Sequence, residues 1–113
     1  MKAEGLELTD ILEGGYLCYR KERKFIDDVI RENIKYILKR EKIIDDNAEI
    51  IIPPGAYFEI STDGFYSVDF SIYDGNNIKG KGNASGSCVI TLANDPCDDY
   101  MELLNMTVDV EVE

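Results

Sequence analysis

The sequence predicts an α+β fold: one long amphipathic helix packed on an antiparallel β-sheet of about four to six strands. Three observations carry this. Between positions 21 and 43 apolar residues recur at steps of three and four, with no Gly or Pro. After position 48 the apolar period falls to two, and turn residues punctuate it. The 113 residues are 44% hydrophobic and 31% charged, enough for one domain, 1–113, with an adequate core.

The first 19 residues read as mostly irregular. Thr9 or Asp10 is placed to cap a single turn through Glu13, and Gly14 and Gly15 are expected to break it. Tyr16, Leu17, Cys18 and Tyr19 then suit a short strand. The helix follows over 21–43. Phe25, Ile26, Val29, Ile30, Ile34, Ile37 and Leu38 form its apolar stripe. Asp27 and Asp28 come early, and Lys39, Arg40 and Lys42 late, the order the helix dipole favours. Asp45, Asp46 and Asn47 are expected to end it.

Strands are expected at 50–52, stopped by Pro53, Pro54 and Gly55, and at 57–60, followed by a turn at Thr62, Asp63 and Gly64. The next hairpin is the strongest local signal. Tyr66, Val68, Phe70 and Ile72 alternate with small or acidic residues. Beyond the turn at 74–76, Ile78, Gly80, Gly82, Ala84, Gly86, Cys88, Ile90 and Leu92 share one side. Both sets reach the core only if the position numbers of paired residues have an even sum. The shortest solution pairs Tyr73 with Asn77, places Phe70 over Gly80, and excludes a two-residue turn. Glycines on the inner side are expected to let the helix approach closely. Asp95 and Pro96 read as the start of a short helix reaching Leu104. The chain closes in a half-buried strand, with Met106, Val108, Val110 and Val112 alternating against Thr107, Asp109, Glu111 and Glu113.

Charge is unevenly distributed. Residues 20–42 hold nine basic and five acidic side chains, net +4; the rest holds 18 acidic side chains and three lysines, net −15. The total of −11 argues against general nucleic-acid binding and against adhesion to anionic membranes. It favours a protein partner with a basic surface. Histidine is absent, which removes the commonest general base and metal ligand. Cys18, Cys88 and Cys97 form no C-x-x-C, and positions 1–10 hold no apolar run of signal length, so reduced thiols and a cytoplasmic location are expected. The sequons at Asn83 and Asn105 are then incidental.

Several patterns bear on chemistry. Gly75, Gly80 and Lys81 have the spacing of a phosphate-binding loop, but Gly82 replaces the magnesium-holding Ser or Thr and a strand follows instead of a helix. The pattern reads as a hairpin. Asp95, Asp98, Asp99 and Glu102 read as solvated helix-start acids, not a cation site. With 23 acidic residues, any carboxylate pair is uninformative about glycosidase chemistry. Cys88 is expected in the core, and acids beside Cys97 oppose thiolate formation there. No enzyme, cofactor or metal is expected.

The leading expectation is therefore a non-enzymatic binding protein. An acidic surface of Asp98, Asp99, Glu102, Asp109, Glu111 and Glu113 would dock on a basic macromolecular partner; in a narrower form it would imitate nucleic acid in a basic groove. An alternative is a small-ligand module that captures an anion or nucleotide with Arg31, Lys35, Lys39, Arg40 and Tyr36. Those residues read more readily as the wet side of an amphipathic helix. A second alternative is a self-assembling component, a possible homo-oligomer, whose cue is an acidic C-terminal strand free to pair with another copy.

Overall fold

The computed structural model describes residues 1–16, 26–52, 64–95 and 98–113. Its elements are β1 (Lys2–Leu8), β2 (Gly14–Tyr16), α1 (Ile26–Arg40), β3 (Ala48–Ile51), β4 (Phe65–Asp74), β5 (Asn77–Thr91), β6 (Tyr100–Leu103) and β7 (Met106–Val112). The fold is α+β, with one described helix on an antiparallel sheet of seven strands. The main order is β1-β7-β5-β4-β3, and β6 joins β5 and carries β2 on its other side. The expected strands at 16–19 and 57–60, and the residues of the turn before Gly64, lie largely or wholly outside the described residues.

The core is one cluster. Ile26, Val29, Ile30, Ile34, Ile37 and Leu38 of α1 meet Leu8, Tyr66, Val68, Phe70, Ile72, Met101, Met106 and Val108, all at most 2% exposed. Alternation explains the sheet's share, because even positions of β4 and β7 point inward and odd ones outward. The helix explains the other half through its stripe of three- and four-residue steps.

The helix is shorter than expected: its described part spans 15 residues and ends at Arg40. Backbone geometry stops it before Asp45. The Ile43 N–H donates to Leu38 O at 2.8 Å, and the Lys42 N–H to Lys39 O at 3.0 Å. This is a Schellman ending, with Lys42 in the left-handed region at φ 60°. Ile43 then packs against the core.

Three further expectations fail at the ends of the sheet. Positions 2–8 form a strand, not irregular chain. Gly5, at φ 68°, sits in a bulge between Ala3 and Leu6, so their three-residue spacing still points both inward. No capped turn forms at 9–13; Ile11 there has φ 68°. Gly14 and Gly15 lie within a strand and do not break one. At the other end, positions 100–103 are extended: Met101 and Leu103 are buried while Tyr100 and Glu102 are exposed, and the two-residue period outweighs the capping signal of Asp95.

The central hairpin keeps the even pairing sum but not the expected turn. Asp74 pairs with Asn77 across a two-residue turn in which Gly75 has φ 63°. A bulge at Ile78 and Lys79 then restores parity, so Phe70 faces Gly82, Val68 faces Ala84 and Tyr66 faces Gly86. The bulge leaves Ile78 49% exposed. The inner glycines do not serve helix approach. A Cβ on Gly82 would lie 2.3 Å from Asp109 O and 2.7 Å from Phe70 Cζ, so the space is used by β7 and the ring. The helix backbone instead comes nearest to β1, β2 and β3.

Strands β6 and β7 form one line along β5, interrupted at Leu104 and Asn105. Both oxygens of Asn105 accept hydrogen bonds there. Tyr66 Oη donates to Asn105 O at 2.7 Å, and the Ser87 N–H donates to Asn105 Oδ1 at 2.9 Å. Burial raises the Tyr66 phenol pKa well above its ordinary value.

Candidate functional site

Because α1 covers one side of the sheet, the outward residues of β1, β7, β5 and β4 face away from the core. Strand register fixes which side chains meet there. Asn83 stands between Asp69 and Asp109, and Lys81 between Ser71 and Glu111. Lys2 lies beyond Glu111 on β1. A shallow hollow of about 480 Å³ lies over this part of the sheet, with Gly82 in its lining. Asn83 Nδ2 donates to Asp69 Oδ1 at 2.9 Å and to Ser67 Oγ at 3.0 Å. The Gly5 N–H donates to Asp109 Oδ1 at 2.8 Å, so the bulge glycine also orients a carboxylate. Lys2 pairs with Glu4 at 3.2 Å. Carboxylates of Glu4, Glu7, Asp69, Asp109 and Glu111 thus outnumber the ammonium groups of Lys2 and Lys81.

Further along β5 the same outward side becomes apolar. Phe65 pairs with Ser87, Glu102 with Val89, and Tyr100 with Thr91. Phe65 is 54% exposed, Val89 48% and Tyr100 37%. Phe65 and Tyr100 are each diagonal neighbours of Val89, about 7–8 Å away. The Tyr100 ring is held in place. It lies over Gly14, where a Cβ would come within 2.4 Å of it, and stands edge-on to Tyr16 with centroids 5.5 Å apart.

The six acids expected to form one docking surface are divided. Asp109 and Glu111 belong to the hollow. Glu102 shares their side but sits opposite Val89, six residues along β5 from the partner of Asp109, or about 20 Å away. Glu113 follows the end of β7, its N–H donating to Lys79 O at 2.8 Å. Asp98 and Asp99 lie in the connection before β6, where Asp98 N–H donates to Asp95 O and Asp99 Oδ1 accepts from Ala93 N, both at 2.8 Å. They therefore do not lie on a helix with Glu102. Sequence reading missed the place of Asp69, Asn83 and Lys81 in the hollow. Alternation puts them outward, but only register brings them side by side.

Among the described residues, positive charge is less segregated than the sequence suggests. Arg20, Lys21, Arg23 and Lys24 lie outside the described residues. Described α1 holds four basic and three acidic side chains, net +1. Arg31 pairs with Asp28 at 2.6 Å and Asp27 at 3.6 Å. Lys39 pairs with Asp46, and this hydrogen-bonded ammonium lowers the Asp46 pKa. Arg40 donates to Glu7 O at 2.8 Å and pairs with Glu41 at 3.4 Å. Lys35, Tyr36, Lys39 and Arg40 line one side of the helix together with Glu32, while Arg31 lines a separate hollow with Lys35; of the four cations expected to capture an anion, Arg31, Lys39 and Arg40 are already paired. The cue for self-assembly is also corrected: β7 is interior, paired with β1 on one side and β5 on the other.

Cys88 is 5% exposed, and burial pushes its thiol pKa up, which suits a core residue. Cys97 lies outside the described residues. Among the described residues, no three side chains of metal-binding type converge, and no helix is long and apolar enough to cross a membrane. No family model, no curated protein and no solved structure matches this chain.

Proposed function

We propose that this protein is a non-enzymatic acidic binding protein that docks on a macromolecular partner with a basic surface. One observation carries the reading: the outward side of β1, β7, β5 and β4, where Glu4, Asp69, Asp109 and Glu111 gather around Asn83. A carboxylate-rich surface steers basic partners and repels acidic ones, so charge sets encounter rate and specificity more than raw affinity. In its narrower form, this side of the sheet occupies a basic nucleic-acid-binding groove by imitating the charge of a phosphate backbone. The partner is then a protein, and neither nucleic acid nor membrane is bound directly.

Affinity capture from lysate at low and high salt, with bound proteins identified by mass spectrometry, tests the reading. The expected result is a basic partner retained at low salt, released at high salt, and lost when Asp69→Asn and Glu111→Gln are combined. Capture that is indifferent to both salt and that pair of substitutions would overturn it.

A further inference from the structure

We infer that the outward side of the sheet takes an amphipathic basic helix of the partner, whose apolar residues seat on Phe65, Val89 and Tyr100 while its Lys and Arg residues lie over the neighbouring carboxylates. This rests on the acidic-surface reading and specifies the occupant. A sheet buries one side against α1, and a second helix on the other side would complete a three-layer packing. The side that no described element covers is divided lengthwise. Asp69 and Asp109 flank Asn83 at one end, and the apolar trio sits at the other with Glu102 beside Val89.

A purely cationic ligand would leave the apolar end wet, and a purely apolar one would bury carboxylates without partners, which is costly. A ligand with both chemistries satisfies both ends. From Asn83 to Thr91 is eight residues of strand, about 27 Å, which a helix of roughly 18 residues spans. Tyr100 suits an anchor, because Gly14 and Tyr16 already fix its ring and little side-chain freedom remains to be lost on binding.

The test uses two fluorescent peptides with equal positive charge, an 18-residue Leu/Lys/Arg amphipathic helix and an oligo-lysine, titrated into the full chain. Fluorescence anisotropy is read at low and moderate salt. The amphipathic peptide is expected to bind at least about tenfold more tightly. The pair Phe65→Thr and Val89→Thr, which keeps residues suited to strands, is expected to remove about tenfold of that affinity. Glu102→Gln with Glu111→Gln is expected to weaken both peptides and flatten the salt dependence. Circular dichroism confirms that the variants remain folded. Equal binding of the two peptides, untouched by the threonine variants, overturns the apolar seat and leaves the acidic-surface reading standing. Binding of neither peptide overturns both.

Discussion

Replacing Gly82 with Ala sets two physical arguments against each other. Strand propensity alone makes Ala the better residue, by roughly 0.5–1 kcal/mol, because glycine has more freedom to lose on folding. The packing says the opposite. A Cβ at position 82 would sit 2.3 Å from Asp109 O and 2.7 Å from Phe70 Cζ. The ring can turn, but the carbonyl belongs to the backbone of β7, which is itself held by β1. Relief therefore requires β5 and β7 to part by about 1 Å, and overpacking of this kind costs roughly 1–3 kcal/mol. For a chain of 113 residues this lowers Tm by about 4 °C per kcal/mol. Gly82→Ala should thus lose about 4–12 °C in a thermal scan. Phe70→Leu introduced alongside it should recover little of that penalty, because the carbonyl contact remains. A Gly82→Ala variant as stable as the parent, or more so, would refute the account of how β5 and β7 approach.

Other expectations follow from single residues. Lys42 holds φ 60° without a glycine, so Lys42→Gly should gain about 0.5–1 kcal/mol in urea denaturation; a loss would contradict the Schellman ending. Asn33 is 4% exposed, and its Oδ1 has no hydrogen-bond partner while its Nδ2 donates to Val29 O. Asn33→Leu should therefore raise stability by about 1 kcal/mol, measured the same way. Burial keeps the Tyr66 phenol protonated beyond its ordinary pKa of 10.0. The folded state holds this proton more tightly than the unfolded state, so its contribution is complete below pH 10.0 and fades as pH rises above that value. Tyr66→Phe should cost about 1 kcal/mol at neutral pH by leaving Asn105 O unpaired. It should also flatten the fall in stability between about pH 10 and 11 relative to the parent protein; parallel falls would contradict burial as the cause.

Much of the fold was legible where one physical rule acted alone. The stripe from Ile26 to Leu38, the alternation from Tyr66 to Ile72 and that from Met106 to Val112 each follow a single period. The sequence misled where two rules competed. Gly5 interrupts the alternation of β1, and a bulge absorbs the extra residue. At Asp95 the capping signal pointed to a helix, while Tyr100, Met101, Glu102 and Leu103 had the period of a strand and followed it. At the central hairpin the even pairing sum holds, but a bulge satisfies it along with a two-residue turn. The candidate surface was less legible. Composition revealed an acidic body, but Asp69, Asn83 and Asp109 become neighbours only through register. Phe65, Val89 and Tyr100 come from three strands. The positive charge of residues 20–42 is only partly available in the part of the segment that is described. Within α1, local pairs such as Arg31 with Asp28 neutralise much of the charge before any ligand could use it.

The most direct test of the docking account is amide chemical-shift mapping of the labelled chain during titration with the amphipathic basic peptide. The account predicts that the largest shifts fall on 65–71, 81–91 and 100–111, while 29–40 stay unmoved. Shifts concentrated at Lys35, Tyr36 and Arg40, with the outward strand residues silent, would contradict it.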